Sequence, residues 1–335
     1  ISEDSSEIIV RDNEITNCSD SGIYLENYCT DSLIECNTLI GCDVGVHVDY
    51  CISITVSNNT IEDNYNGVYY TDSCDYGIID RNNLTNSTVG ITIESCYDTF
   101  IHDNNLTYGE TGIEVMYGDD DEGDHNRLQE NNITNASVAG ISLVSTYFNT
   151  LTANKLTNCS VYLGGDEDTF ITQEITTDNT VNGRPVIYYY DDSEITVTEE
   201  DNPGEVLLGS IEVATIEDLN LSDQNIGLLA GYCSDVTVNG TVFDSNTYGG
   251  VDLYNTNSAY IHDNEFNNSL MGIHLDDSVN NEIDYNSFNL CQNGITQVND
   301  GSDNFLGYNN FSNCSDAIFL TETRGSTISD NVIPT

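Results

Sequence analysis

Short segments that alternate between apolar and polar residues recur along the chain at a nearly constant spacing. An Asn followed two residues later by Ile, Leu, Val or Phe marks each repeat. These asparagines are Asn13, Asn37, Asn59, Asn82, Asn104, Asn131, Asn154, Asn264, Asn286, Asn309 and Asn331. Most steps between neighbouring members are 22 to 24 residues long. A fixed period of this length predicts a repeat protein in which each repeat is one structural unit.

Most repeats also contain a Gly eight or nine residues after the Asn, and Ala317 takes that place in a later repeat. This Gly opens an alternating segment such as 22–25 (Gly-Ile-Tyr-Leu) or 272–275 (Gly-Ile-His-Leu). Period-2 segments divided by Asn, Gly, Ser and Asp predict about three short β-strands per repeat, and no helical periodicity is present. One such repeat cannot bury its own apolar face, whereas stacked repeats can.

The predicted fold is therefore all-β, a right-handed parallel β-helix of about 12–14 coils, each of 22–24 residues. Identical asparagines in stacked coils can form a hydrogen-bonded ladder, as they do in cross-β assemblies. The alternatives are a left-handed hexapeptide helix and a leucine-rich repeat. Neither the six-residue period nor the Leu framework that they require is present.

The repeat is interrupted between residues 164 and 205. In this stretch Asn182-Gly183 and Arg184-Pro185 predict a hairpin that leaves the stack. The predicted organisation has coils over residues 1–163, a protruding insertion over residues 164–205, and further coils over residues 206–335. We expect these three parts to form one continuous solenoid.

The charge and the apolar content of the chain exclude some kinds of function. The 57 Asp and Glu against 6 Lys and Arg give a formal net charge of −51, which excludes a nucleic-acid partner bound through its phosphates. No apolar run approaches the roughly 20 residues of a membrane span. The chain begins at Ile1 without a signal-like segment, as expected of a processed sequence, and we expect an extracellular, cell-surface location.

The Asn-x-Ile units, the Gly-Ile-x-Leu strands and the Asn-Gly-Arg-Pro-Val-Ile-Tyr-Tyr-Tyr segment at 182–190 resemble the NosD-like group of right-handed β-helix repeat proteins. This resemblance covers nearly the whole chain. It implies a right-handed parallel β-helix and a location on an archaeal cell surface. Members of this group are often described as carbohydrate-binding or sugar-hydrolase modules. Composition, cysteine content and bare repeats also resemble the major proteins of the tubular sheaths around some filamentous methanogens.

The eleven cysteines fall mainly at two places in the repeat, eight residues before the Asn and five residues after it. Neighbouring coils lie about 4.8 Å apart, within the Cα separation that a disulfide tolerates. The predicted vertical bridges are Cys18–Cys42, Cys29–Cys51, Cys74–Cys96 and Cys291–Cys314. The alternative, that these cysteines stay reduced and fill small apolar positions, is open at this point.

Three cysteines have no partner in this scheme: Cys36, Cys159 and Cys233 are predicted to be free or intermolecular thiols. Cys36 occupies a place that is polar in other repeats, so we expect it to face outward. An unpaired outward Cys in an exported protein predicts an intermolecular disulfide.

Two further kinds of surface site are predicted. The acidic run Asp119, Asp120, Asp121, Glu122 and Asp124 is the best candidate for Ca²⁺ or another divalent cation, because such cations prefer clustered carboxylates. The alternative is a solvated acidic loop, and no other cofactor is expected. The glycosylation candidates are Asn58, Asn83, Asn105, Asn132, Asn267 and Asn310.

No catalytic residues are predicted. The six Lys and Arg side chains are scattered over different repeats, which disfavours a lyase that must hold an acidic polysaccharide. For a glycosidase, which needs two carboxylates, Asp103 and Asp263 are weak candidates. No Cys-x-x-Cys or His-Glu-x-x-His spacing points to a metal centre.

We predict that the protein is a structural subunit of an extracellular sheath or surface layer. Its binding partners would be other copies of the same chain. Uncovered coil ends would stack head to tail, and disulfides would cross-link the copies. The alternative is a cell-surface module that binds or cleaves carbohydrate, with surface glycans as partners.

Overall fold

The structure is a computed structural model that describes residues 5–118 and 123–333. It divides into two compact units, Ile1–Thr180 and Val181–Thr335. In both units short strands pair in parallel with the equivalent strands of the next coil, and the chain forms about 14 such coils. The predicted parallel β-helix is confirmed.

Each coil of unit 1 except the last has a first, a second and a third strand. The first strands are Ile9–Arg11, Leu33–Glu35, Thr55–Ser57, Ile78–Asp80, Phe100–His102, Arg127–Gln129, Thr150–Thr152 and Glu174–Ile175. The second strands are Glu14–Thr16, Thr38–Ile40, Thr60–Glu62, Asn83–Thr85 and Lys155–Thr157. The third strands are Ser21–Glu26, Val44–Asp49, Asn66–Thr71, Val89–Glu94 and Val161–Gly164. In two coils the second and third strands are continuous, as Asn105–Met116 and Asn132–Val144.

Unit 2 has the same three kinds of strand. Its first strands are Ile195–Val197, Ala214–Glu217, Val236–Asn239, Tyr260–His262, Glu282–Asp284, Phe305–Gly307 and Thr327–Ser329. Its second strands are Val242–Asp244, Glu265–Asn267, Ser287–Asn289 and Asn310–Ser312. Its third strands are Arg184–Tyr190, Glu205–Gly209, Ile226–Gly231, Gly249–Tyr254, Met271–Asp276, Asn293–Val298 and Asp316–Leu320. A two-residue strand, Thr180–Val181, lies at the boundary of the units.

The repeat asparagines lie in the first turn, between the first and second strands, where they form the expected ladder. All are buried except Asn13, which is exposed, and Asn331, which is half-buried. In unit 1 the backbone N–H and the side-chain amide of Asn59 both donate to Oδ1 of Asn82, at 2.9 and 3.0 Å. Asn82 donates in the same way to Asn104 at 3.0 Å. The Nδ2 group of Asn82 also donates to the carbonyl of Val56 at 2.9 Å. Asn is needed here because one side chain must accept and donate at once inside the protein.

The repeat glycines are required by lack of space. A Cβ atom on Gly90 would lie 2.4 Å from Leu106 Cδ2 and 2.6 Å from the carbonyl oxygen of Gly112. In unit 2 a Cβ atom on Gly272 would lie 2.5 Å from the ring of Phe288. The inward side chain of a second strand therefore packs directly on the glycine of a third strand.

The stretch between residues 164 and 205 keeps the parallel pairing in part. Asp166 caps a short helix, Glu167–Ile171, by accepting a hydrogen bond from the Thr169 N–H at 3.1 Å. Within unit 2, Arg184–Tyr190 pairs in parallel with Glu205–Gly209. A 3₁₀ helix follows at Glu199–Asp201. The three-part division with boundaries at 163/164 and 205/206, and its continuity, stay predictions.

Candidate functional sites

The outward face of the third strands in unit 1 carries a row of three aromatic rings. Parallel register places Tyr24 beside His47 and His47 beside Tyr69. Their ring centroids are 4.6 and 5.0 Å apart, and the rings are nearly parallel. Because the ring faces lie against one another, this row presents mainly ring edges to the solvent, so it is not a flat platform for a sugar.

Carboxylates border this row. The Tyr24 hydroxyl donates to Asp49 Oδ2 at 3.0 Å, and the Tyr69 hydroxyl donates to Glu94. Burial and the hydrogen bond to Glu94 raise the pKa of Tyr69 to about 12. Burial lowers the pKa of His47 even though several carboxylates are nearby. The row therefore combines a neutral imidazole, two neutral phenols and two carboxylates, which can form hydrogen bonds with a polyhydroxyl ligand.

Unit 2 carries an acid–base pair on its third strands. Asp252 and His274 are register partners, and His274 Nδ1 lies 2.9 Å from Asp252 Oδ1. Asp252 is 5% exposed, so the pair is largely shielded from water. Burial, the largest single influence, lowers the pKa of His274, but the hydrogen bond and charge of Asp252, with the charge of Asp276, outweigh it. The net effect is a raised pKa, which favours an imidazolium–carboxylate pair.

We expect the stability that this pair provides to depend on pH. A raised pKa in the folded state means that the stabilisation is fully present below the unfolded imidazole pKa of about 6.5, and is lost as the pH rises through the folded pKa. We expect His274→Gln to lower the free energy of unfolding by about 1.5–3 kcal/mol at pH 5 and by less at pH 9, measured by urea denaturation. His262→Gln is the control, because His262 contacts Asp263, which is largely exposed. An equal loss for His274→Gln at both pH values would contradict the ion pair.

Sequence reasoning missed this pair, although the repeat contains the signal. Asp252 and His274 each occupy the second place after a repeat glycine, and they are 22 residues apart, one repeat length. Aligning the repeats at their glycines places them side by side. The weak glycosidase candidates, by contrast, contact neighbouring histidines: Asp103 lies 2.9 Å from His102, and Asp263 lies 2.9 Å from His262.

All eleven cysteines are free thiols in this structure, so the predicted bridges stay predictions. The buried thiols are Cys29, Cys42, Cys51, Cys74, Cys96, Cys159, Cys233 and Cys291; Cys18 and Cys314 are half-buried; Cys36 is exposed. Cys18 and Cys42 follow paired strands at the same distance, and their side chains are hydrogen-bonded to each other. In the other column the N–H of Cys51 donates to Cys74 Sγ at 3.3 Å and the N–H of Cys74 to Cys96 Sγ at 3.2 Å. Cys51 and Cys74 are thus a further adjacent pair beside the predicted ones.

Burial makes three of the buried thiols, Cys51, Cys233 and Cys291, chemically unreactive. Burial raises the pKa of Cys51 to about 12, and that of Cys291 also to about 12. Burial raises the pKa of Cys233 to about 11. Since the thiolate is the nucleophile and the metal ligand, these sulfurs are protonated and unreactive near neutral pH.

The predicted cation site falls largely outside the described residues, which exclude Asp119, Asp120, Asp121 and Glu122. Asp124 is described and buried. Its Oδ2 accepts hydrogen bonds from the Tyr147 N–H at 2.7 Å and from the Thr146 hydroxyl. This carboxylate therefore joins two coils, and cation binding by the acidic run stays a prediction.

The glycosylation candidates lie on the outside. Asn58, Asn83, Asn105, Asn132 and Asn310 are exposed, and Asn267 is half-buried. Asn105 donates to Asn83 and Asn132 donates to Asn105, both at 2.8 Å. Glycans on three residues stacked this closely would collide, so modification of all three in one molecule is sterically disfavoured. Glycosylation itself stays a prediction.

The family profile described as "Periplasmic copper-binding protein (NosD)" matches residues 3–193 and 177–335. These two matches together span almost the whole chain. The chain belongs to this NosD family. The description places family members in the periplasm, and no helix in the described part of this chain is long and apolar enough to cross a membrane.

The residues described here do not fit the copper centre that the family description implies. Within residues 5–118 and 123–333, no group of three or more His, Cys, Asp or Glu side chains is placed to hold a metal ion. The column of Cys29, Cys51, Cys74 and Cys96 is the softest donor set, but burial raises the pKa of Cys51 to about 12, which disfavours its thiolate form. Protonated thiols are poor ligands for copper.

Solved structures similar to the chain include the A-module of mannuronan C-5 epimerase AlgE6 from Azotobacter vinelandii. That match has 13% identity and a TM-score of 0.33, and covers 98% of this chain and 90% of the other. A mannuronic acid specific family 6 lyase from human gut microbiota matches at 7% identity with a TM-score of 0.40, covering 95% and 79%. These similarities concern architecture and do not extend to the activities of those enzymes. Among curated proteins, none matches the chain.

Proposed function

We propose that this NosD-family chain is a structural subunit of an extracellular sheath or surface layer. The observation that carries the proposal is the continuity of the asparagine ladder within each unit, which is buried except at Asn13 and Asn331. In unit 1 it runs from Asn13 to Asn179, and in unit 2 from Thr241 to Asn331, with donor–acceptor distances of 2.8–3.1 Å. Each unit is therefore stiffened along its stacking axis, as a load-bearing envelope protein requires.

Self-association must overcome the net charge of −51. Two arginines of unit 1 are already paired within the chain, Arg11 with Glu35 at 3.4 Å and Arg81 with Asp80. Copies would repel one another in dilute salt, and divalent cations or high ionic strength would relieve the repulsion. Negative-stain images of the concentrated protein with Ca²⁺ should show tubes, hoops or sheets. A monomer with and without Ca²⁺, by light scattering at the same concentration, would overturn the proposal.

Cys36 provides a covalent test of contact between copies. Its thiol is exposed in the first turn. Two such thiols from neighbouring copies can form one S–S bond, passing two electrons and two protons to an oxidant such as oxidised glutathione. We expect a disulfide-linked dimer on non-reducing electrophoresis, its loss in Cys36→Ser, and its retention in Cys159→Ser, which removes a buried thiol. A dimer that persists in Cys36→Ser would exclude Cys36 as the linking residue.

A second candidate function is a carbohydrate-binding or carbohydrate-cleaving surface module. It is favoured by the row of Tyr24, His47 and Tyr69 with its carboxylates, and by the shielded Asp252–His274 pair. Saturable binding in a glycan array, or release of reducing sugar, would support it if lost in Asp49→Asn or His274→Gln. The absence of both signals, together with ordered assemblies in the images, would favour the structural role.

A further inference from the structure

Four exposed tyrosines occupy the third turns of unit 1, the turns that follow the third strands. They are Tyr28, Tyr50, Tyr76 and Tyr117, which we call the tyrosine edge. Their exposed fractions are 66%, 46%, 59% and 57%. All four adopt left-handed backbone conformations, with φ between 49° and 63°. A bulky residue rarely adopts this conformation, which Asn, Asp and Gly adopt far more readily.

Sister coils show that the turn does not need an aromatic residue. The places equivalent to Tyr28 and Tyr50 hold Ser73, Ser95 and Ser145, with φ of 62°, 51° and 46°. The backbone ladder is the same with either residue: Tyr28 N–H donates to the Tyr50 carbonyl at 2.7 Å, and Ser73 N–H to the Ser95 carbonyl at 2.9 Å. The tyrosines thus add nothing to the pairing of coils, and their rings remain open to an external partner.

The third turns that contain Tyr28 and Tyr76, and the next third turn at 95–99, contain acidic side chains. Segments 27–32, 50–54, 72–77 and 95–99 contain Asp31, Asp72, Asp75 and Asp98 and no Lys or Arg. Burial and the negative charge of Asp98 raise the pKa of Asp75, against a hydrogen bond from the Tyr97 N–H at 3.2 Å. Two carboxylates therefore repel each other at this edge without a basic side chain in these segments.

We propose that the tyrosine edge binds an arginine-rich segment of a partner protein. Guanidinium groups stack on tyrosine faces and pair with carboxylates, so one side-chain type satisfies both features of the edge. Another copy of the tyrosine edge is a less suitable partner, because its aspartates would repel those of the first copy. A neutral ligand would leave the repulsion between Asp75 and Asp98 unrelieved. This binding is independent of the proposed assembly, because it needs neither a second copy nor Cys36.

Two exposed tyrosines elsewhere in the fold serve as controls for the tyrosine edge. Tyr285 and Tyr308 in unit 2 are also exposed, with φ of 53° and 55°. Their rings, however, are stacked on each other with centroids 5.2 Å apart and an interplanar angle of 6°. One face of each ring is therefore occupied. Replacing these two tyrosines removes exposed aromatic surface at the same backbone conformation without touching the tyrosine edge.

The test measures binding of a labelled nona-arginine peptide by fluorescence anisotropy at two salt concentrations. The test variant carries Tyr28→Ser, Tyr50→Ser, Tyr76→Ser and Tyr117→Ser, and the control carries Tyr285→Ser and Tyr308→Ser. None of these substitutions changes the net charge, and the sister coils show that Ser is accepted in the third turn. We expect the dissociation constant to rise at least about tenfold in the test variant and to change less than about twofold in the control.

Two outcomes would overturn the proposal. Equal affinity of the wild-type protein and the test variant would mean that the peptide senses only the overall charge. Tyrosine-dependent binding of dextran, a neutral glycan, without tyrosine-dependent binding of the peptide would assign the edge to carbohydrate. Circular dichroism and thermal melting verify that the test variant is folded, and light scattering measures assembly separately.

Discussion

Replacing Asn104 by Ala should destabilise unit 1 by about 3–5 kcal/mol, the largest effect that we expect from a single polar substitution. Asn104 Oδ1 accepts hydrogen bonds from the backbone and side-chain amides of Asn82, both at 3.0 Å. Its Nδ2 group donates to the Ile79 carbonyl at 2.8 Å and to Asn131 Oδ1 at 3.0 Å. Alanine removes all four bonds. The Asn82 backbone N–H is then buried without its acceptor, which costs about 1–3 kcal/mol, and each further lost bond costs about 0.5–1.5 kcal/mol. The Asn82 Nδ2 group still donates to the Val56 carbonyl, and Asn131 Oδ1 still accepts from the backbone N–H of residue 104.

The adjacent residue is a matched control for this prediction. Asn105 is exposed, and its amide bonds to Asn83 and Asn132 lie at the surface. Asn105→Ala should change the free energy of unfolding by less than about 0.5 kcal/mol. Urea denaturation followed by far-ultraviolet circular dichroism measures both variants. Indistinguishable midpoints for Asn104→Ala and Asn105→Ala would show that the ladder does not hold the coils together.

Phe266→Ala should destabilise unit 2 by about 3–5 kcal/mol. The Phe266 ring lies between Phe243 and Phe288, with centroids 4.9 Å away on both sides, and all three rings are fully buried. The substitution would leave a cavity and remove two stacking contacts. It would also remove the side chain that fills the space above Gly250, where a Cβ atom would lie 2.6 Å from the ring.

Two further variants test whether position or residue type causes this loss. Phe319→Ala removes a ring that is 43% exposed and should cost less than about 0.5 kcal/mol. Phe266→Leu should cost less than Phe266→Ala, since the equivalent inward place in unit 1 holds Leu84 and Leu106. Thermal melting gives the order of the three variants. Equal losses for Phe266→Ala and Phe319→Ala would contradict a continuous phenylalanine stack.

The repeat made the architecture predictable because its period is so regular. Asparagines 22 to 24 residues apart must align once the coils stack, and the structure pairs Asn82 with Asn104 as the spacing requires. The glycine period was equally visible, but its cause was not. Only the structure shows that Leu106 occupies the space that a side chain on Gly90 would need.

Other features could not be read from the repeat. Between residues 164 and 205 the Gly period disappears, although Asn179 still continues the ladder of unit 1. The pattern therefore does not indicate that Asp166 caps a helix or that Phe170 is fully buried there. The Asp252–His274 pair follows from register but requires repeats to be compared across coils. The conformational cost of the exposed tyrosines is invisible in sequence, because it depends on the backbone angle of each turn.

The asparagine ladder gives each unit an electrical direction. The backbone N–H of each ladder asparagine donates toward the following coil, as Asn59 does to Asn82 and Asn264 does to Asn286. The side-chain amide donates both to the following coil and to a carbonyl of the preceding one. The backbone N–H bonds of the ladder therefore all point the same way along the axis. A coil grafted from one position to another would keep this polarity, whereas one inserted upside down would set donors against donors. Exchange of whole coils in their native orientation is thus the natural way to lengthen or shorten such a protein.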